Sequence, residues 1–266
     1  MSIEHFFNFS RPRVFAHRGC ALGPENTLAA FDLGIAAGAD GLEFDVQLSA
    51  DGVPVVCHDR TLDRTTNLAG PVTARTAAEL ARVDAGYRFS IRKDEFPFRN
   101  QGVGIPTLSD VLRRYPDVPI IIEMKVNHPE MGRRVADEVR AAGSAHRTCA
   151  AGYGAQSLRA VREALPEMAT SACHPEVRLD LYRSWARCPR REAPYGGYQV
   201  PELSGLVRVV SPRFIRDAHR YGRKVEVWTV DEPADMKRLF GWGTDGLISN
   251  RPDLAVRVRD ALAASR

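Results

Sequence analysis

The stretch PIIIEMK occupies residues 119–125 and is the most strand-like segment of the chain. Its three consecutive isoleucines form the continuous apolar run that is typical of a parallel strand buried on both faces. A predicted helix at Ser109 to Tyr115 precedes it, and another near Pro129 to Ala142 follows it. The segment is therefore one unit of an alternating pattern.

Strand-like and helix-like segments alternate outward from this unit in both directions, which predicts parallel strands joined by crossover helices. The chain has 266 residues, the usual size of a TIM (β/α)8 barrel, although an open doubly wound sheet also fits that length. More strands are predicted than a barrel can hold, so either Leu206 to Val210 or Met168 to Ala172 is expected to be short or outside it. The candidates are Arg13 to Ala16, Gly41 to Val46, Pro54 to Cys57, Pro119 to Met124, Thr148 to Ala151, Met168 to Ala172, Leu206 to Val210, Lys224 to Val230 and Gly246 to Ser249.

Two connections break the alternation. Between Asp45 and Val55 there is no room for a crossover helix, which needs about a dozen residues, so we expect a hairpin or a truncated crossover. Between His58 and Pro106 lie about 47 residues, which predict a small insertion at about 59–105, after the third strand. We treat residues 1–266 as a single domain, with loop or irregular structure from Pro175 to Ser204.

The composition argues against a nucleic-acid-binding, disulfide-bonded, secreted or membrane-spanning protein. The net charge of +4 is spread along the chain, and the basic run from Arg187 to Arg191, interrupted by Cys188 and Pro189, predicts a solvated loop rather than a nucleic-acid patch. Five cysteines without a Cys-x-x-Cys pair indicate reduced thiols. The first 13 residues lack the apolar core of a signal peptide, and no stretch approaches the ~18 apolar residues of a membrane span. We expect a cytoplasmic protein with neither a nucleic-acid partner nor a transmembrane segment; its oligomeric state stays open.

Two carboxylates share one face of the second predicted strand. Glu43 and Asp45 lie two residues apart, so their side chains point the same way. The alternate residues Leu42, Phe44 and Val46 form an apolar face that is expected to be buried, which turns the carboxylates toward the barrel interior or its mouth. Burying two carboxylates side by side costs free energy unless a cation or a shared proton compensates.

Glu123, directly after the three isoleucines, supplies a third carboxylate. Its convergence with Glu43 and Asp45 would make a hard oxygen site suited to one divalent cation, Mg²⁺ or Ca²⁺. Lys125 would then offer a point charge for a phosphate oxygen, the alternative being a structural salt bridge with one of these carboxylates.

Two histidines end predicted strands. His17 closes the first and His58 the third, which would place both at the carboxyl-terminal rim, where barrel enzymes keep their active sites. Imidazoles titrate near neutral pH, so one can accept a proton while the other donates one. Arg18 offers a planar fork for phosphate or a surface ion pair. Asn26 is a candidate for the N-cap of the first helix or for a contact near the substrate.

These candidates belong to an ordered set of short motifs. The motifs are His17-Arg18-Gly19, Pro24-Glu25-Asn26-Thr27, Glu43-x-Asp45-Val46, Asp51-Gly52, His58-Asp59, Leu62-Asp63-Arg64-Thr65-Thr66, Ile105-Pro106-Thr107-Leu108, Glu123-Met124-Lys125, Trp228-Thr229-Val230 and Asp245-Gly246-Leu247-Ile248. The ordered set covers nearly the whole chain and resembles the glycerophosphodiester phosphodiesterase family.

The resemblance implies a TIM barrel that hydrolyses glycerophosphodiesters to glycerol 3-phosphate and an alcohol. Trp228 would flank the glycerol moiety of this small-molecule substrate. Carried over position by position, the resemblance assigns one divalent cation to Glu43, Asp45 and Glu123, acid and base catalysis to His17 and His58, and substrate contacts to Arg18, Lys125, Trp228, Glu25 and Asn26.

The chain departs from the family pattern at two places: Gly152-Tyr153 replaces a common Ser-Phe pair, and Ser249-Asn250 replaces a common Thr-Asp pair.

Two other functions fit the same residues. One is a phospholipase D-like activity on lysophospholipids or larger diesters, including internal attack to a cyclic phosphate. An apolar groove beside the metal would favour this activity, whereas a short polar pocket near Trp228 would favour glycerophosphodiesters. The other is a phosphate-binding protein without turnover, which the presence of every proposed catalytic group disfavours.

Overall fold

The computed structural model describes residues 4–188 and 192–265. The strands are β1 (Arg13–His17), β2 (Gly41–Leu48), β3 (Pro54–Val56), β4 (Ile120–Met124), β5 (Thr148–Gly152), β6 (Ala169–Thr170), β7 (Gly197–Pro201), β8 (Leu203–Ser204), β9 (Val207–Arg208), β10 (Lys224–Trp228) and β11 (Gly246–Ser249). The helices are α1 (Glu4–Phe7), α2 (Leu28–Ala36), α3 (Ala77–Leu80), α4 (Leu108–Arg114), α5 (Pro129–Ala141), α6 (Ala155–Ala164), α7 (His174–Trp185), α8 (Pro212–Arg220), α9 (Pro233–Trp242) and α10 (Pro252–Ala264). Within the described ranges, no helix is both long and apolar enough to cross a bilayer.

Eight parallel strands form the barrel, in the order β6-β5-β4-β2-β1-β11-β10-β7. The two ends of this order meet through a parallel bridge between Ser171 and Gly197. Hydrogen bonds flank the bridge, from Ala172 N to Gly197 O at 2.9 Å and from Gly196 N to Thr170 O at 3.1 Å. The predicted TIM barrel is confirmed, and the open doubly wound sheet is excluded.

β3 does not belong to the barrel wall. It runs antiparallel to β2, with Val56 opposite Val46 and Pro54 opposite Leu48. The prediction that Pro54 to Cys57 is a parallel barrel strand is therefore wrong, while a hairpin does join the two segments. The chain passes the carboxyl-terminal rim at the end of β2 and returns toward it along β3. His58, which follows β3, therefore lies at this rim.

The region predicted as irregular, Pro175 to Ser204, contains most of α7 and the barrel strand β7. That prediction is wrong for both elements. Leu206 to Val210 lies outside the barrel, where part of it pairs as β9 with β8, and Met168 to Ala172 provides the short barrel strand β6. Of the basic run from Arg187 to Arg191, residues 189–191 lie outside the described residues.

The core has an inner and an outer layer. Leu42, Phe44 and Val46 are fully buried between the barrel and its helices, as their alternation predicts. Ile121 instead packs inside the barrel in a cluster with Phe15 and with the aromatic residues of α1. Because side chains alternate along a strand, residue 123 of β4 shares the inward direction of Ile121.

The insertion that follows β3 has its own small apolar core. Leu62 and Leu80 are fully buried there and pack with Val55 of β3 and with Ile105. This packing fixes the segment after His58 against the outer arm of the hairpin, close to the barrel rim.

Close packing of α2 against the turn after β1 gives a test of the fold. A Cβ added at Gly34 would lie 2.6 Å from Gly19 O and 2.7 Å from Ala16 Cβ. Gly34→Ala should therefore lower the free energy of unfolding by about 1–3 kcal/mol through overpacking. In α9, a Cβ at Gly241 meets nothing within 4 Å, so Gly241→Ala should raise it by about 0.5–1 kcal/mol through helix propensity. Urea denaturation measures both, and equal effects of the two substitutions would contradict this packing.

Candidate active site

Three carboxylates meet inside the barrel mouth. Glu43 and Asp45 project from β2 and Glu123 from the neighbouring β4, where Asp45 and Glu123 lie opposite each other in the register. One oxygen of each lies within 4.8 Å of the others. Glu43 and Asp45 are 4% and 1% exposed, respectively. The barrel thus brings the three acidic residues to a common point.

The charge of this cluster is incompletely compensated. Burial, followed by repulsion from Asp45 and Glu123, raises the pKa of Glu43 well above its usual value. Glu43 Oε2 is buried and accepts no hydrogen bond from the described residues. A buried carboxylate oxygen without a donor, beside two further carboxylates, suits a hard divalent cation.

Two basic side chains contact the cluster. Lys125 Nζ lies 3.0 Å from Glu123 Oε1 and 3.4 Å from Asp45 Oδ1, and Arg18 Nε lies 3.0 Å from Asp45 Oδ2. Burial opposes the charge of Lys125, but the attraction of Glu123 and Asp45 outweighs it and raises the pKa of Lys125. Two basic side chains therefore face three carboxylates. The remaining negative charge favours the binding of a metal ion.

Asn26 orients Asp45. Its Nδ2 donates to Asp45 Oδ2 at 2.9 Å, and Asp45 N donates to Asn26 Oδ1 at 3.2 Å. The expected alternative, that Asn26 caps the first helix, is wrong because Thr27 accepts the capping hydrogen bond from Ala30 N. Asn26 is buried, with a left-handed φ of 60°, a conformation that Asn tolerates better than most residues.

His17 is held through Nδ1. That atom lies 2.7 Å from Asn250 Oδ1, while Asn250 Nδ2 donates to Asp231 Oδ2 at 2.7 Å. Because Asn250 Nδ2 donates to Asp231, Asn250 Oδ1 must accept a hydrogen bond from His17 Nδ1–H. His17 Nε2 then faces Glu43 Oε2, at 3.9 Å. Burial lowers the pKa of His17, against the opposing effect of Asn250.

Asn250 and Asp231 were missed among the sequence candidates. A signal was present, because the first and last strands of a closed barrel are neighbours and Asn250 directly follows β11, which pairs with β1. A residue at that position must lie beside the end of β1, where His17 stands.

His58 joins the site through a chain of charged residues. Its Nδ1 lies 2.6 Å from Asp59 Oδ1, and Asp59 Oδ2 accepts from Arg64 Nε at 2.6 Å. Arg64 also donates twice to Glu25, at 2.7 and 2.6 Å. Glu25 in turn accepts from Arg18 Nη1 at 3.1 Å. Glu25 thus contacts two arginines of the site.

Trp228 stands apart from this network. It ends β10 opposite Pro201 of β7 and is 42% exposed. In the sheet, β11 and β1 separate β10 from β2. The other nine predicted site residues are joined by the contacts above, whereas Trp228 lies on another arc of the same rim.

A closed barrel with an acidic cluster, two imidazoles and basic side chains at its carboxyl-terminal rim has the arrangement of a TIM-barrel enzyme. The model of the glycerophosphoryl diester phosphodiesterase family matches residues 17–254. The chain therefore belongs to this family of enzymes, and the resemblance inferred from its motifs is confirmed.

Individual relatives agree with this membership. A glycerophosphodiester phosphodiesterase of Caldanaerobacter subterraneus subsp. tengcongensis is 31% identical over 255 residues, which cover 92% of this chain and 96% of that protein. One from Bacillus altitudinis is 30% identical over 260 residues, with coverage of 94% and 99%. The crystal structure of a glycerophosphodiester phosphodiesterase from Agrobacterium tumefaciens is similar with a TM-score of 0.76 at 29% identity, covering 94% of this chain and 99% of that one.

Glu43→Gln tests whether the acidic cluster is a cation site. In chelator, the substitution should raise the melting temperature, because a neutral amide removes a buried charge beside Asp45 and Glu123. At about 100 times its Kd, Mg²⁺ or Ca²⁺ should stabilise the unsubstituted protein by about 2.7 kcal/mol, and the variant should lose most of this gain. Thermal denaturation followed by circular dichroism measures both effects, with the exposed Glu163→Gln as the control. A variant that responds to the cation as strongly as the control would contradict the assignment.

Proposed function

We propose that the chain hydrolyses glycerophosphodiesters to glycerol 3-phosphate and the free alcohol, with one bound divalent cation. The observation that carries the proposal is the convergence of three inward carboxylates with His17 and two basic side chains at one rim of the barrel, beside a cleft that His58 lines. Membership of the glycerophosphoryl diester phosphodiesterase family supports it.

Glu43, Asp45 and Glu123 would hold the cation, Mg²⁺ or Ca²⁺. The cation would supply Lewis-acid chemistry, drawing charge from the phosphoryl oxygens. Arg18 and Lys125 bind the anionic phosphate, since both present N–H donors beside the acidic cluster.

The two histidines move protons. Each imidazole is anchored through Nδ1, His17 by Asn250 and His58 by Asp59, so Nε2 is the atom that we assign to proton transfer. One histidine accepts a proton from the attacking group, and the other donates one to the leaving alkoxide. Each such transfer is worth ~10² to 10⁴ in rate.

The space beside His58 suits a small polar alcohol. A shallow open cleft lies there, lined by charged residues that include Glu25, Asp59 and Arg64 and by the apolar Val56 and Ile105. The charged side chains at this cleft favour contact with a polar headgroup such as choline or ethanolamine over an acyl chain. Trp228 offers an exposed indole ring for the glycerol moiety.

A second candidate substrate is a lysophospholipid. Pro201 lies opposite Trp228. In the hairpin that follows Pro201, the Leu203 side chain is 51% exposed and Leu206 is fully exposed. These apolar side chains lie on the same rim as the proposed site, where an acyl chain could contact them.

A substrate panel tests the reaction and its metal dependence. Glycerophosphocholine, glycerophosphoethanolamine and lysophosphatidylcholine should be assayed with Mg²⁺, with Ca²⁺ and with EDTA. We expect glycerol 3-phosphate from the first two in the presence of a cation, and none in EDTA until the cation is restored. An EDTA-treated enzyme with its full rate would rule out the cation, and faster cleavage of lysophosphatidylcholine would favour the second candidate.

Substituting the histidines separates proton transfer from binding. His17→Ala and His58→Ala should each lower kcat by ~10² to 10⁴ while changing KM much less. The exposed His146, which precedes β5 at the other end of the barrel, provides the control His146→Ala, with an expected kcat within about twofold of the unsubstituted enzyme. Full turnover of His58→Ala or of His17→Ala would remove that residue from the proposal.

A further inference from the structure

Arg64 links two parts of the site that belong to different segments of the chain. Its guanidinium bonds Asp59 through Nε and Glu25 through both Nη atoms, at 2.6 to 2.7 Å. On their other sides, Asp59 holds His58 Nδ1 and Glu25 accepts from Arg18. Arg64 therefore stands midway between a proton-transfer residue and a phosphate-binding residue.

The local fold holds Arg64 in this place. Leu62 is fully buried in the core of the insertion. Thr66 closes the turn, since both its N and its Oγ1 donate to Leu62 O, at 3.1 and 3.0 Å. Arg64 lies midway between Leu62 and Thr66 in the sequence, so the backbone is held in place on both sides of it.

A contribution to stability has to be separated from a role in positioning. The Arg64 side chain is 50% exposed, and an exposed ion pair typically contributes only about 0–1 kcal/mol. The chain offers a matched comparison in Arg114, which is 49% exposed and also pairs through two nitrogens, with Asp32. Arg114 is on α4, however, and its partner is not a residue of the site.

Arg64 also offsets the negative charge of the carboxylates around the cleft. Although burial acts in the opposite direction, the hydrogen bonds and charge of Arg64 help to lower the pKa of Glu25 and of Asp59. Both carboxylates line the cleft beside His58. A phosphodiester is an anion, so carboxylates in its path would repel it unless a cation such as Arg64 neutralised them.

We propose that Arg64 is a positioning residue of the phosphodiesterase reaction, which bridges Asp59 and Glu25 and thereby fixes His58 and Arg18 relative to each other. The inference rests on the proposed function, because it assigns Arg64 an effect on residues of that reaction. A guanidinium is required because its planar fork bonds two carboxylates at once, whereas an ammonium group is a single point charge.

A double-mutant cycle tests the inference. The enzymes compared are the unsubstituted protein, Arg64→Gln, Arg64→Lys, His58→Ala, the double variant of Arg64→Gln with His58→Ala, and the control Arg114→Gln. All are assayed for kcat and KM with glycerophosphocholine and a saturating cation, and their melting temperatures are measured.

Arg64→Gln should lower kcat about 10- to 100-fold, as loss of a supporting residue typically does, and Arg64→Lys should lie between it and the unsubstituted enzyme. In the His58→Ala background, Arg64→Gln should cause a smaller fold-loss in kcat than in the unsubstituted background, because the part of its effect that acts through His58 is already absent and only the part that acts through Arg18 remains. Arg114→Gln should keep its kcat, and its melting temperature should match that of Arg64→Gln within about 2 °C.

Three results would overturn the inference while leaving the proposed function intact. They are a kcat of Arg64→Gln within twofold of the unsubstituted enzyme, an equal fold-loss in the presence and absence of His58, and full activity of Arg64→Lys, which would show that charge without bridging suffices. An unsubstituted enzyme that cleaves none of the diesters would instead refute the proposed function itself.

Discussion

The burial of like charge inside the barrel mouth is the constraint on which the rest of the site depends. Glu43 and Asp45 cannot both turn away from the interior, because the alternate side chains of β2 form the apolar layer under the helices. Their repulsion, increased by Glu123, must be offset by nearby positive charge. Arg18 and Lys125 supply part of it, and a divalent cation would supply the rest.

The barrel gathers the remaining groups from distant parts of the chain. Closure makes β11 the neighbour of β1, which brings Asn250 to His17. The hairpin of β2 and β3 returns to the rim and delivers His58 from outside the wall. His17 is thus oriented by a side chain from the far end of the chain, whereas His58 is oriented by its sequence neighbour Asp59.

The sequence predicted the elements that local pattern determines. The isoleucine run and the alternation around Glu43 placed β4 and β2, because burial on both faces leaves a readable pattern. The pattern failed where distant contacts decide the structure. β7 begins at Gly197, where a side chain would collide with Phe7 of α1; only the folded barrel shows why glycine is needed there. The antiparallel direction of β3 and the role of Asn250 likewise follow from pairing between strands, which periodicity does not report.

We propose that Glu43, Asp45 and Glu123 together bind one divalent cation. Anomalous diffraction from crystals grown with Mn²⁺ as a substitute for Mg²⁺ tests it most directly. We expect one strong peak at the barrel mouth, within about 2.0–2.6 Å of a carboxylate oxygen of each residue. A mouth without a peak, or a peak bound by other residues while these carboxylates pair only with Arg18 and Lys125, would contradict it.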